Sequence, residues 1–155
     1  GKTSQSGIIV EGIDNCLVKF AKCCTPVPGD PVVGFITRGF GVSVHRADCP
    51  NASDAKRAEE PGRWIKVSWA TGELATYQTA LDISAKDRDG LTLDVAMALS
   101  TAKVKVSALS ARSMPDGYAS VSVVLEVKDR EELSSVINKL NNIQGVYQVV
   151  RASGK

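Results

Sequence analysis

Tyr77-Gln78-Thr79-Ala80-Leu81-Asp82-Ile83 alternates apolar with polar or small side chains, the two-residue period of a strand with one buried face. Asp89-Gly90 then breaks the chain. Leu91, Val95, Ala98, Leu99 and Ala102 recur at helical spacing, which predicts an amphipathic helix over 91–102. Val104, Val106 and Ala108 predict a second strand. Met114-Pro115-Asp116-Gly117 reads as a turn, because Asp-Gly supplies the positive φ of a tight connection. Ala119, Val121, Val123, Leu125 and Val127 form one face of a third strand, with Ser120 and Ser122 on the other. Asp129, with Glu132 three residues on, reads as a capping box. It opens a helix whose apolar stripe is Leu133, Val136, Ile137 and Leu140. Gly145 ends that connection, and Val146 to Val150 is the last strand. The order βαββαβ in about 75 residues is the ferredoxin-like arrangement, an antiparallel sheet with two helices on one face.

The residues before it differ in kind. Residues 1–74 hold all four Cys, the sole His and five of the six Pro, so composition places a boundary near 74 and predicts modules over 1–74 and 75–155. The first module reads as β-rich. Ile8 to Val10, Val32 to Ile36, Val42 to His45 and Trp64 to Trp69 are expected strands, and Arg38-Gly39-Phe40-Gly41 joins the middle two as a hairpin. Cys16 to Lys22 is expected as a short helix, and Asn51 to Gly62 as a polar surface loop or short helix. The whole chain is therefore expected as α+β.

Composition excludes several classes. Apolar residues are 43% and charged residues 23% of 155, the balance of a folded globular chain rather than a disordered one. A net charge of +2 carries no nucleic-acid footprint by itself. No apolar run approaches the roughly 20 residues that cross a bilayer, so no membrane association is expected. Four Cys are too few for a disulfide scaffold, and a reducing, cytoplasmic setting is the expectation. The opening Gly1-Lys2-Thr3-Ser4-Gln5-Ser6 lacks an initiator Met and reads as a fragment or a tag remnant. The chain has no Gly-x-x-x-x-Gly-Lys-Ser/Thr phosphate loop and no carboxylate-rich strand for Mg²⁺. It is expected to be non-catalytic.

Four side chains carry the candidate chemistry. Cys23 and Cys24 are adjacent, and His45 and Cys49 lie four apart beyond a strand. Three thiolates and an imidazole can hold Zn²⁺ tetrahedrally. Adjacent cysteines are not the common knuckle spacing, since neighbouring side chains diverge. Pro26, Pro28 and Gly29 stiffen the backbone behind them. Buried small hydrophobes, disulfides and a Cys–His nucleophile are the other readings of the same residues. Cys16 is expected to be a bystander.

Lys22-Cys23-Cys24-Thr25-Pro26-Val27-Pro28-Gly29-Asp30, together with Val33 to Asn51 around His45-Arg46-Ala47-Asp48-Cys49, resembles the zinc-finger or RIS domain of long RelA/SpoT homologues. Asp87-Arg88-Asp89-Gly90-Leu91 through Gly145 to Arg151 resembles the ACT domain that closes those proteins. The resemblance covers nearly the whole chain, with two motifs in the family's order. It implies the C-terminal regulatory region of an enzyme that makes and hydrolyses (p)ppGpp, a GTP pyrophosphokinase of the stringent response whose catalytic half lies elsewhere. It implies Zn²⁺ on Cys23, Cys24, His45 and Cys49. It implies contact of Lys22, Arg38 and Arg46 with ribosomal RNA or uncharged tRNA, reporting amino-acid starvation to the catalytic half. It further implies a homodimer through the ACT domain and an amino acid, with branched-chain ones as candidates, held by Asp87, Asp89, Gly90 and Leu91. Thr92 and Lys105 depart from the family pattern, where an apolar residue and Asn are usual. A domain that pairs or docks without a small ligand is the alternative.

Overall fold

The computed structural model describes residues 7–12, 16–70 and 75–152; the opening hexapeptide and the boundary near 74 lie outside the described residues. The chain folds as two compact units, the second spanning Thr76–Ala152.

The second unit has four strands, β7 (Tyr77–Lys86), β8 (Lys105–Met114), β9 (Tyr118–Val127) and β10 (Val146–Arg151), and two helices, α2 (Leu91–Thr101) and α3 (Arg130–Asn141). The sheet order is β10-β7-β9-β8, antiparallel throughout. Alternation drives it. Leu81, Ile83, Val121, Val123 and Leu125 are fully buried on one face, against Leu91, Val95 and Leu99 of α2 and Leu133, Val136 and Leu140 of α3. The Asp129 carboxylate accepts from the Glu132 N–H at 2.8 Å, and Glu132 reaches back to the Lys128 N–H at 2.9 Å. This is the expected reciprocal cap, shifted by one residue at its return bond. Asp116 and Gly117 both take left-handed φ at the β8–β9 turn.

One expectation there changes. β8 runs to Met114 and carries a bulge between Val106 and Ala108. The bulge reverses the alternation, so Val106 lies opposite buried Leu125, whereas Ala108 lies opposite Val124 on the other face. Leu109 and Ala111 take over the inward positions opposite Val123 and Val121.

The first unit contains two small sheets. β1 (Ile8–Val10) pairs with β6 (Val67–Trp69). The other sheet orders β2 (Val18–Phe20), β4 (Val42–Arg46), β3 (Val32–Ile36) and β5 (Trp64–Ile65) as β2-β4-β3-β5. The expected strand Trp64 to Trp69 is thus two strands in two sheets, changing partner at Lys66. The expected helix over 16–22 is replaced by β2, parallel to β4. Val18 and Phe20 pack on the apolar cluster of Ile8, Val10, Val42, Val44 and Val67, and this two-residue period overrides the helical reading. A short helix, α1 (Asp54–Glu59), capped by the Ser53 hydroxyl, occupies the polar 51–62 segment.

Candidate functional site

The cysteine pair sits where β2 ends. Ala21 donates its N–H to Val44 O, and Cys24 and Thr25 then fold back onto Ala21 O. Thr25 takes φ 42, left-handed for a non-glycine residue, so the backbone turns sharply behind the pair. β4 alternates: Val42 and Val44 enter the apolar cluster, and His45 lies on the opposite face. Cys49 returns to that face through a turn closed by its N–H on Arg46 O, at 3.0 Å.

These elements bring Cys23, Cys24, His45 and Cys49 together, with their ligand atoms all within 4.8 Å of one another. Cys23 Sγ lies 3.9 Å from Cys24 Sγ, 3.5 Å from Cys49 Sγ and 3.4 Å from His45 Nδ1. Cys24 Sγ lies 3.9 Å from the same nitrogen. A zinc tetrahedron with ordinary bond lengths has edges of about 3.8 Å between sulfurs and about 3.6 Å between sulfur and nitrogen. The cluster therefore has the size and donor set to hold a metal ion. The sharp turn removes the objection to adjacent cysteines.

Burial pushes the Cys24 and Cys49 thiols up and the His45 imidazole down. Backbone N–H groups of Arg46 and Asn51 donate to the sulfurs of Cys24 and Cys49, favouring the thiolates a cation would need. A cation thus displaces protons from groups already supplied with donors.

Sequence reasoning missed two supports. Asp30 is buried; its carboxylate accepts from Val27 N–H at 2.8 Å and its carbonyl from the Trp69 indole at 2.9 Å, which fixes the proline-rich loop after the cysteines. An Asp closing a Pro-Gly turn was the available signal. Trp64 packs on the cysteine cluster, and no local pattern announced it.

The three basic residues are not equivalent. Lys22 and Arg38 are exposed, the latter on the hairpin between β3 and β4. Arg46 is half-buried and ion-paired with Asp48 at 3.0 Å. Beside Arg38, Lys19 lies over the exposed Phe40 ring, 5.3 Å from its centroid.

In the second unit, Asp87, Asp89, Gly90 and Leu91 line one side of a hollow of about 500 Å³. Ala111, Ala119 and Val121 line its sheet side. The structure gives the four candidates different duties. Gly90 takes φ 80 and starts α2. Leu91 is buried, and its N–H turns back to Arg88 O. The Asp87 carboxylate accepts from Ser113 Oγ at 2.8 Å. Asp89 is exposed. Arg88 was overlooked: it binds Asp94 at 2.7 Å and the carbonyls of Asp89 and Gln144 at 3.0 Å, tying the loop to its neighbours. Thr92 is exposed, and Lys105 pairs with Glu126 at 3.5 Å.

The family model described as RelA/SpoT RIS domain matches residues 8–70, and that described as ACT domain matches residues 73–151. The chain belongs to the RelA/SpoT family. The GTP pyrophosphokinase of Streptomyces coelicolor is 39% identical to this RIS–ACT chain over 150 residues, covering 97% of the chain and 18% of that protein. The bifunctional (p)ppGpp synthase/hydrolase RelA of Mycobacterium tuberculosis is 40% identical over 151 residues, 97% of the chain and 20% of that protein. The RIS–ACT chain thus spans about a fifth of the length of these relatives. The crystal structure of the ACT domain from the GTP pyrophosphokinase of Chlorobium tepidum aligns with a TM-score of 0.46 at 22% identity, over 50% of this chain and 99% of that one. The four-ligand cluster lies in the RIS unit, and the hollow beside Gly90 lies in the ACT unit. No helix among the described residues is long and apolar enough to cross a membrane.

Proposed function

We propose that this chain is the regulatory, non-catalytic portion of a cytoplasmic (p)ppGpp synthetase/hydrolase of the stringent response. The observation that carries the proposal is the Cys3His cluster at tetrahedral spacing inside a RIS unit that an ACT unit follows. The RIS unit holds a structural Zn²⁺ on Cys23, Cys24, His45 and Cys49. The metal pins the end of β2 to the end of β4 and so sets the surface around it. Lys22 and Arg46 present cations beside the cluster, and Arg38 presents another on the β3–β4 hairpin at the far end of β4, to phosphates of ribosomal RNA or uncharged tRNA. Lys22 and Arg38 carry most of this contact, since Asp48 already shares the charge of Arg46. The ACT unit supplies the second input. Its hollow sets the carboxylates of Asp87 and Asp89 beside the Thr92 and Leu93 N–H groups in the first turn of α2, over a floor of methyl groups, which suits an aliphatic amino acid. Both inputs pass to the catalytic half of the longer protein.

Sedimentation with ribosomes carrying deacylated or aminoacylated tRNA tests this reading. The chain should co-sediment preferentially with the deacylated state, and Lys22→Ala and Arg38→Ala should each lower the salt slope by about one. Co-sedimentation blind to both the tRNA state and these substitutions would refute it.

A specific observation also favours self-pairing. β8 is a ten-residue edge strand, exposed along nearly its whole length. Leu93 and Met97 on neighbouring α2 are 63% and 60% exposed. Beyond its bulge near Val106, this long edge beside apolar side chains is a template for a second copy, which makes the ACT unit a homodimerisation surface. Sedimentation equilibrium of the chain should give a dimer that Met97→Glu dissociates, whether or not an amino acid binds. A monomer at all concentrations would exclude it.

A further inference from the structure

A histidine that ligates a metal is ordinarily oriented by its second ring nitrogen, which donates to a carboxylate, a carbonyl or water. His45 directs Nδ1 at the sulfurs of Cys23 and Cys24, and among the described residues no protein group bonds its Nε2. What the ring does meet is Trp64, with centroids 5.9 Å apart and planes inclined at 56°. Trp64 also packs against the cluster of Ala21, Cys24, Cys49 and Ala52. Its other neighbour is Phe35, at 4.7 Å, on whose ring the Arg63 guanidinium lies at 4.3 Å. Trp64, on β5, thus links Phe35 of β3 to the ligand cluster.

The indole Nε1 is buried, with no acceptor among the described residues. An unsatisfied buried donor is a cost that Phe or Leu would not carry at this position. The aromatic ring meets both His45 and the cysteine wall.

We propose that Trp64 is the positioning residue of the metal centre. Its ring does by packing what a protein hydrogen bond to the second nitrogen does elsewhere: it fixes the imidazole with Nδ1, not Nε2, toward the sulfurs. This rests on the Zn²⁺ reading above.

The test uses the full chain, with Zn²⁺ affinity from chelator competition and site geometry from the visible spectrum of the Co²⁺ form. Trp64→Leu should weaken Zn²⁺ binding about 10–100-fold, the range of lost outer-shell partners, and alter the Co²⁺ bands. Trp64→Phe, which keeps an aromatic face, should recover most of the affinity. Phe35→Leu, which removes the other ring against Trp64, should lower the melting temperature and leave affinity and spectrum in place. Affinity of Trp64→Leu within about twofold of the parent, or an equal loss in Phe35→Leu, would overturn the proposal. Should Trp64→Leu fail to fold, Trp69→Phe leaves Trp64 as the single indole. Co²⁺ should then quench most of its emission, and unchanged emission would refute the adjacency. A parent chain that takes up neither metal would overturn the Zn²⁺ reading itself, whereas normal uptake with an indifferent Trp64 would overturn this inference alone.

Discussion

The RIS and ACT units solve the same problem with different means. The ACT unit buries a continuous aliphatic slab, in which Leu81, Ile83, Val123, Leu125 and Leu140 are fully enclosed between one sheet and two helices. The RIS unit splits its interior in two. One cluster is small and aliphatic, built on Ile8, Val10, Val42, Val44 and Val67. The other is smaller still, Ala21, Cys24, Cys49 and Ala52, with Cys23, Val33 and Trp64 packed against it. The Zn²⁺ proposed for the Cys3His set would staple the ends of β2 and β4 together. The ACT unit should therefore stand on burial alone, and the RIS unit on burial plus a metal.

Four experiments break or sharpen that contrast. The largest effect belongs to the ligands. Structural Zn²⁺ contributes about 10–16 kcal/mol of apparent binding free energy, all of it coupled to folding. Cys24→Ser should unfold the RIS unit while the ACT transition persists in calorimetry. Cys16→Ser should cost about 1 kcal/mol or less, since Cys16 only flanks the aliphatic cluster. Equal effects at both positions would contradict the ligand assignment. The mirror experiment is Leu81→Ala, which should remove about 2–5 kcal/mol from the ACT transition and leave metal content untouched.

Next in size is ligand binding at the hollow beside Gly90. A bound amino acid at about 100 times its dissociation constant adds roughly 2.7 kcal/mol, visible as a selective rise of the ACT transition. An aliphatic amino acid should give that rise and Asp87→Ala should abolish it; a transition blind to all twenty would leave ACT as a pairing surface. The smallest effect is local. Asp129→Ala should lower ACT stability by about 0.5–2 kcal/mol through loss of the α3 cap, and circular dichroism melts should register it in that unit only.

The same contrast explains what the sequence made legible. Each ACT element is specified by its own side-chain period, so Ala119 to Val127 and Leu133 to Leu140 could be read one at a time. The bulge in β8 could not, because an extra residue in a strand leaves no periodic mark in a stretch where Val106, Ala108 and Leu109 are all apolar. In the RIS unit, chemistry was legible before structure. Four ligand-type residues named a centre, while the three-residue β2 was too short to show its period and was taken for a helix. The split at Lys66 follows from pairing with partners over fifty residues away, Ile8 to Val10, which local patterns do not record. Trp64 was invisible for the same reason, because its role depends on what the sheets bring to it, whereas Asp30 left a local signal as the Asp that closes Pro28-Gly29.

The most direct test of this account is the metal content of the chain purified under reducing conditions, read by native mass spectrometry alongside its melting profile. The account predicts one Zn²⁺ per chain, absent from Cys24→Ser, with chelation at mildly acidic pH removing the metal and the RIS transition together. A metal-free chain that retains both transitions at full cooperativity would contradict it.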